Sequence, residues 1–357
     1  MIYCAAITSR GAGIAKMLAD SVGASLYLPE NISYQYPDEA FTFSTTREFF
    51  DKAFKEASAM VCVMACGIVV RGIKDLLQSK SRDPAVVVVD EGANFAISLI
   101  SGHLGGANEL ARRVAAILGA QPVITTATDV RGLPAFDDIA RVLQLKISNM
   151  NHLKRVHMAM LEGEQVHVLD VAGILRRYWG DDVPYCVTVH DTRPKTPLGF
   201  DVVVTTDDLN SDPSDVVAQT SSTLFLAPRT AYFAGIGCNS GTTVEEILSA
   251  LEMTFTTFGL DIRLMCGIAT IDKKIEEPGL IEAARRLFSP ITFFSKEELS
   301  RVYVPNPSDA PMRAVGSPSV AEASAILATR GRGGLVVEKQ KIGNLTIAIS
   351  SVHADAQ

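Results

Sequence analysis

At 357 residues the chain is too long for one ordinary hydrophobic core, so two or three domains are expected. Hydrophobic residues make up 47% and charged residues 20%, the balance of a packed globular protein rather than a disordered one. The formal net charge of −7 argues against general nucleic-acid binding, which depends on basic surface, but leaves room for a polyanionic small molecule held by a local basic cluster.

Six cysteines are scattered without a Cys-x2-Cys pair or a disulfide framework, so no metal site is expected. Cys62 and Cys66 sit in the apolar run AMVCVMACGIVV, where a thiol behaves as a small hydrophobe. The opening MIYCAAITSRGAG has a short apolar run, no basic segment before it and a Gly-rich turn directly after, so a secretory signal is not expected. No stretch approaches the ~18 uninterrupted apolar residues of a membrane span. The protein is expected in the cytoplasm.

The first 145 residues alternate strand and helix signals. MIYCAAIT is a buried strand, followed by the loop SRGAG and a helix from Ile14 to Val22. AMVCVMACG is a second strand, leading into IVVRGIKDLLQSK. AVVVVD, the turn EGAN and FAISLIS read as a β-hairpin. SLISGHLGGANELARRVA comes next, with apolar residues at 104, 107, 111, 114 and 118, so a helix begins near Gly105 or Gly106. PVITTATD is a further strand. Four strands thus end in polar or glycine-bearing segments: Thr8 to Gly11, Cys66-Gly67, Ser101 to His103 and Thr125 to Asp129. Ligands of open α/β sheets bind outside the carboxyl ends of strands, so these ends point to a shared site. The hairpin, however, obliges one of its strands to run opposite.

From 146 to 229 the pattern is less regular: a helix near MNHLKRVHMAMLEG, then QVHVLD, YCVTVH, DVVVTT and TLFLAP as short strands, separated by turn-rich stretches such as GDDVP and NSDPSD. His152, His157, His167 and His190 fall here without ligand spacing. From TAYFAGIGCNSGTTVEEIL onward a second alternation of strands and helices ends in the hairpin GGLVVEKQ with NLTIAISS. The expected fold class is α/β: two α/β domains with largely parallel sheets, 1–145 and 230–357, flanking a smaller α+β middle domain, 146–229.

His103 lies at a helix N-terminus, where the helix dipole disfavours an imidazolium; a neutral imidazole there can act as general base. Ser101 and the amides of Gly102, Gly105 and Gly106 offer donors to an anion or a developing oxyanion. The plainer alternative is that Ser101 caps the helix and the glycines only let strand and helix approach. In DEGANF, Asp90 and Glu91 suit turn chemistry. In TTATD, Asp129 either orients a ligand or caps the next helix. GIGCNSGTT follows a strand and opens a helix as a dinucleotide loop does, but its spacing, G-x-G-x-x-x-G, is by itself a weak signal, and no Lys-Ser/Thr pair accompanies it. Its Thr242…Glu245 and Thr243…Glu246 both fit a capping box, as does Ser319…Glu322, while Gly235 and Gly237 suit close backbone approach to a ligand. Arg71, Lys74, Lys80 and Arg82 are either solvated surface or a docking patch for carboxylates.

The block from GIVVRGIKDLL through DEGANF, SGHLGGANELARR and VITTATD resembles the N-terminal signature of the CbiG family, the cobalt-precorrin-5A hydrolases of anaerobic cobalamin biosynthesis. AGIGCNSGT, IATIDKKIEEPGLIEAARRL, FFSKEELSRV, GSPSVAEASAIL and VVEKQKIGNLTIAI resemble its C-terminal domain, which also occurs as a separate small protein. Where the family carries basic residues after the cysteine of its G-I-G-C loop, this chain has Asn239 and Ser240.

The resemblance implies a hydrolase whose substrate is a polyanionic cobalt tetrapyrrole bearing a δ-lactone. Water opens the lactone, and the C20 carbon leaves with its methyl as acetaldehyde. His103 would be the base and Ser101 an oxyanion donor, with Gly102, Gly105, Gly106 and Asn108 beside them. Thr125, Thr126, Thr128 and Asp129 would orient water or the lactone, and Arg71 would pair with a substrate carboxylate. Gly235, Gly237, Cys238, Gly241 and Thr242 would lie against the macrocycle. Cobalt would arrive within the substrate, so no cofactor of the protein's own is implied; neighbouring enzymes of the corrin pathway are the implied partners. Two other readings remain: a non-catalytic tetrapyrrole-binding or handover protein, and a nucleotide- or sugar-phosphate-binding enzyme.

Overall fold

The computed structural model describes residues 1–79, 82–192, 199–205 and 223–353. Lys80 and the NSDPSD stretch lie outside the described residues. The chain divides into two compact units, Met1–Arg141 and Val142–Gln357.

The first unit runs β1 (Ile2–Ala6), α1 (Ser9–Val22), β2 (Ser25–Pro29), α2 (Glu30–Ser33), β3 (Ala40–Phe43), α3 (Thr46–Glu56), β4 (Ala59–Val63), α4 (Cys66–Ile73), β5 (Ala85–Val89), β6 (Phe95–Ile100), α5 (Ala107–Leu118), β7 (Gln121–Val123), α6 (Ala127–Val130) and α7 (Phe136–Val142). Its sheet has the order β3-β2-β1-β4-β5-β6-β7. Every neighbouring pair is parallel except β5 with β6. The strands read as unbroken apolar runs because both faces are covered. Cys4, Ala6, Val61, Val63, Val87 and Val89 pack under α1 and α5. The alternate residues Tyr3, Ala5, Met60, Cys62, Val86 and Val88 face α3 and α4. Phe49 and Phe50 of α3 are fully buried there, each contributing roughly 1.5–3 kcal/mol by burial. A Cβ on Gly72 of α4 would sit 2.2 Å from the Phe50 ring, so the two helices can approach only over a glycine.

Two details differ from the sequence expectation. The SRGAG segment is the first turns of α1 rather than a loop, because Thr8 caps that helix by accepting from the Gly11 amide at 3.1 Å. Residues 25–56, which lie between the first helix and the second strand read from the sequence, supply β2, β3 and α3. β3 is an edge strand whose central residues are exposed, so its apolar pattern is weak.

The second unit holds two sheets. The first combines β8 (Leu145–Ser148), α8 (Met150–Glu162), β9 (Val166–Asp170), α9 (Ile174–Trp179), β10 (Val187–His190), β11 (Val202–Val204) and β12 (Leu224–Pro228) in the order β10-β9-β11-β12-β8. Only β12 with β8 is antiparallel, so this segment is a mostly parallel α/β sheet and not the α+β arrangement expected from its turn-rich sequence. Apolar periodicity marks a strand but carries no information on the direction of its neighbour.

The other sheet follows from β13 (Thr230–Cys238), α10 (Val244–Thr257), β14 (Met265–Ile271), α11 (Pro278–Arg286), β15 (Ile291–Phe294), α12 (Lys296–Ser300), α13 (Asp309–Val315), α14 (Val320–Ala328), β16 (Gly334–Ile342) and β17 (Leu345–His353). Its order is β15-β14-β13-β17-β16, with the expected closing hairpin β16–β17. Arg177 of α9 ties the two sheets. Its buried guanidinium donates to the carbonyls of Ala172 at 2.8 Å and Leu287 at 2.5 Å, and also to that of Met265. The α/β class holds for the whole chain.

Candidate active site

β6 runs against β5, and β7 runs with β6. The carboxyl ends of β6 and β7 therefore emerge on the opposite sheet edge from those of β1, β4 and β5. β5 has five residues, so the edges are separated by roughly 17 Å at ~3.3 Å per residue. The four strand ends form two groups, not one shared site.

The first group is the SGHLGGAN–TTATD cluster. Asn108 is buried at the start of α5; its Oδ1 accepts from Ser98 Oγ at 2.7 Å, and its Nδ2 donates to Thr126 Oγ1 and Asp129 Oδ2, both at 2.9 Å. Asp129 also receives Thr126 Oγ1 at 2.7 Å and Arg112 Nη2 at 2.5 Å. His103 Nε2 lies 2.7 Å from Asp129 Oδ2, and its Nδ1 lies 3.5 Å from Asp137 Oδ1 at the first turn of α7. Thr128 Oγ1 is 3.3 Å from Nε2. Thr125 is exposed beside the cluster.

Burial opposes an imidazolium at His103, but the carboxylates of Asp137 and Asp129 outweigh it and push the pKa up to about 9. Burial would raise Asp129, whereas its bonds from Thr126, His103 and Arg112 hold it below the usual carboxylate range. His103 is thus charged at neutral pH, not the neutral base expected from its place before a helix. Both ring nitrogens face carboxylates, which leaves neither for a substrate. Ser101 differs too: its hydroxyl donates to the Asp83 carbonyl at 3.0 Å instead of pointing to an oxyanion. The glycines answer to packing. A Cβ on Gly102 would stand 2.8 Å from Asn108 Oδ1, one on Gly105 would stand 2.4 Å from Ser101 Cβ, and Gly106 has φ +83°.

The second group lines a crevice of about 370 Å³ at the carboxyl ends of β1, β4 and β5. Chain direction changes here: α1 leaves β1 over one face of the sheet and α4 leaves β4 over the other, the arrangement that opens ligand crevices in such folds. Val63, Met64, Val88 and Ile97 give it an apolar wall, with Thr8, Cys66, Asp90 and Glu91 at its polar side. Asp90 spends its carboxylate on the hairpin turn, accepting from the amides of Gly92, Asn94 and Phe95 and from the Asn94 side chain. Glu91 accepts from Thr8 Oγ1 at 2.6 Å. Arg71 is exposed on α4, reaching back to the Gly67 carbonyl at 3.3 Å.

In the second unit, GIGC is the end of β13 and not a loop. A Cβ on Gly235 would lie 1.9 Å from the Ala321 carbonyl, and one on Gly237 would lie 2.5 Å from Thr346 Oγ1, so Gly235 admits the backbone of α14 and Gly237 makes room for the Thr346 hydroxyl. Burial pushes the Cys238 thiol up. Gly241 donates its amide to Glu277 Oε1 at 2.8 Å, and Thr242 is buried, donating to the Asn239 carbonyl at 2.8 Å. Thr243, not Thr242, forms the capping box with Glu246. Beside Ser240, Lys274 Nζ stands 3.2 Å from its Oγ and 2.7 Å from Glu277 Oε2. Lys274, Glu277 and Asp137 were not singled out from sequence. Lys274 and Glu277 sit in one short charged run whose spacing says nothing of a partner more than 30 residues away. No cluster of three His, Cys, Asp or Glu able to hold a metal occurs among the described residues.

A family model described as "Cobalamin synthesis G N-terminal" matches residues 48–129, and one described as "Cobalamin synthesis G C-terminus" matches 232–350. A cobalt-precorrin-5A hydrolase from Salmonella typhimurium is 30% identical over 356 residues, covering 99% of this chain and 97% of that protein. The chain belongs to the CbiG family. A second CbiG relative, the cobalt-precorrin-5A hydrolase of Priestia megaterium, is 29% identical over 87% of this chain and 83% of its own length. Protein CobE from a Sinorhizobium species is 29% identical over 123 residues, 32% of this chain and 77% of CobE. Glu91, His103, Asn108 and Asp129 all fall in the matched N-terminal segment of this CbiG chain, and residues 130–231 lie between the two matches. No helix among the described residues is long and apolar enough to cross a membrane.

Proposed function

We propose that this CbiG chain hydrolyses cobalt-precorrin-5A, opening its δ-lactone and releasing the C20 carbon with its methyl group as acetaldehyde, in anaerobic cobalamin biosynthesis. The observation that carries the reading is the alignment with the Salmonella hydrolase, which runs through both units at 30% identity. Water adds to the lactone carbonyl and the ring C–O bond breaks, leaving a carboxylate and an alcohol. The alcohol then gives up its proton, its O–H electron pair becoming the aldehyde C=O as the carbon–carbon bond to the macrocycle breaks; the pair of that bond stays on the macrocycle, and the C20 unit leaves as acetaldehyde. Cobalt enters with the substrate, and the protein needs no cofactor of its own for either step. The substrate's acetate and propionate groups call for cations, and Arg71, exposed on α4 and reaching back to the Gly67 carbonyl beside the crevice, is placed to meet one of them.

The test is incubation of the purified chain with cobalt-precorrin-5A, with acetaldehyde read by a coupled alcohol dehydrogenase and the tetrapyrrole by mass spectrometry. One acetaldehyde per tetrapyrrole is expected. Tight binding without release would make the protein a carrier instead. A thermal shift with nucleotides but none with the tetrapyrrole would favour a phosphate-ligand enzyme.

A further inference from the structure

Lactone opening needs a proton acceptor for water, and the His103 cluster does not offer one. His103 has carboxylates at both nitrogens, and Asp129 is saturated by four donors. Asp90 is likewise consumed by its turn. Glu91 differs from all three. It is exposed at the hairpin tip, it lines the carboxyl-edge crevice, and its Oε2 has no hydrogen-bond partner among the described residues.

The placement of Glu91 is not incidental to the turn. Thr8 Oγ1 accepts from the Gly11 amide as the cap of α1 while donating to Glu91 Oε1 at 2.6 Å. The start of α1 therefore orients a carboxylate that belongs to β5 and its hairpin, a supporting contact of the kind that holds a reactive group in place. Facing it across the crevice are Val63, Met64, Val88 and Ile97. An apolar wall of that kind suits a neutral ester ring and its methyl-bearing carbon, not an anionic side chain. The crevice, at about 370 Å³, holds such an edge of a substrate and not a whole tetrapyrrole. The charged periphery would stay outside, near Arg10 on the first turn of α1 and Arg71 on the last turn of α4, whose guanidinium reaches back to the Gly67 carbonyl.

We propose that Glu91 is the proton acceptor for lactone opening, with the lactone seated in the carboxyl-edge crevice and Thr8 as its positioning residue. Glu91 takes a proton from water as the oxygen bonds to the lactone carbonyl carbon. It returns that proton to the ring oxygen as the C–O bond breaks, so the carboxylate is regenerated and the products are an acid and an alcohol. This rests on the hydrolase reading above.

In the acetaldehyde assay, Glu91→Gln is expected to lower kcat by about 10²- to 10⁴-fold, with KM within about threefold of the wild type. Glu91→Asp keeps the charge but withdraws it by one methylene, and should fall between the two. Seating is read separately on the wild-type chain: substrate should slow alkylation of Cys66, followed by peptide mass mapping, because that thiol lines the crevice. Turnover by Glu91→Gln within about threefold of wild type overturns the assignment. So does a Cys66 whose alkylation is unaffected by bound substrate. If the wild type itself releases no acetaldehyde, the hydrolase reading falls and takes this one with it, whereas an active wild type with an active Glu91→Gln sinks Glu91 alone.

Discussion

Replacing His103 by Gln removes the charge around which Asp129 and Asp137 are arranged. In the folded protein the imidazolium persists to about pH 9, against an ordinary value of 6.5. The shift is worth about 3 kcal/mol at 1.36 kcal/mol per pKa unit. The group's pKa is raised on folding, so its stabilisation is complete below pH 6.5 and is lost as the pH climbs through 9. Between those values the native state holds one more proton than the unfolded chain, and the slope is about −1.4 kcal/mol per pH unit. His103 is mostly shielded, with 14% of its side chain exposed, so solvent screening takes little from this figure. Urea unfolding at pH 6, 7.5 and 9.5, with the first unit followed by hydrogen exchange and mass spectrometry, measures it. The single tryptophan, Trp179, lies in the second unit and serves as an internal control. Wild type should lose about 3 kcal/mol more than His103→Gln across that range, in the first unit alone. Parallel pH curves for the two proteins would refute the ion-pair account and return His103 to the neutral state expected from its sequence position.

Gly235→Ala should destabilise the second unit by roughly 1–3 kcal/mol, because the new Cβ would meet the Ala321 carbonyl and push α14 off β13; a shift in the Trp179 urea midpoint reads it. If stability is unchanged and only substrate affinity falls, the glycine faces a ligand after all. Arg177→Met should cost about 3 kcal/mol or more, since several buried carbonyls lose their donor at once. The same midpoint checks this, and a change under ~1 kcal/mol would mean water replaces the guanidinium. Gly72→Ala should lower first-unit stability by about 1–3 kcal/mol through displacement of the Phe50 ring, with hydrogen exchange in α3 and α4 rising before that in α1.

Much of the fold was legible along the chain. Unbroken apolar runs such as AVVVV announced buried strands, the 104–118 spacing placed α5 within two residues of its start, and Ser319…Glu322 marked the start of α14. These features depend on neighbours within a few residues, which the sequence displays directly. The EGAN turn even announced that β5 and β6 are antiparallel.

What the chain could not display was the consequence. Only the pairing of β7 with β6 sends the TTATD segment to the edge away from Thr8 and Cys66, splitting one expected site into two. The charge of His103 depends on Asp129, 26 residues on, and Asp137, 34 residues on. The glycine at 235 answers to a helix more than 80 residues away. Periodicity tells which face of an element is buried but not what buries it. A pKa follows charges within a few ångströms, whatever their distance along the chain. The sequence by itself therefore determined the strands, helices and caps and the family signature. The tertiary structure alone decided that SGHLGGAN is a closed ionic cluster and that the open carboxylate lies across the sheet at Glu91.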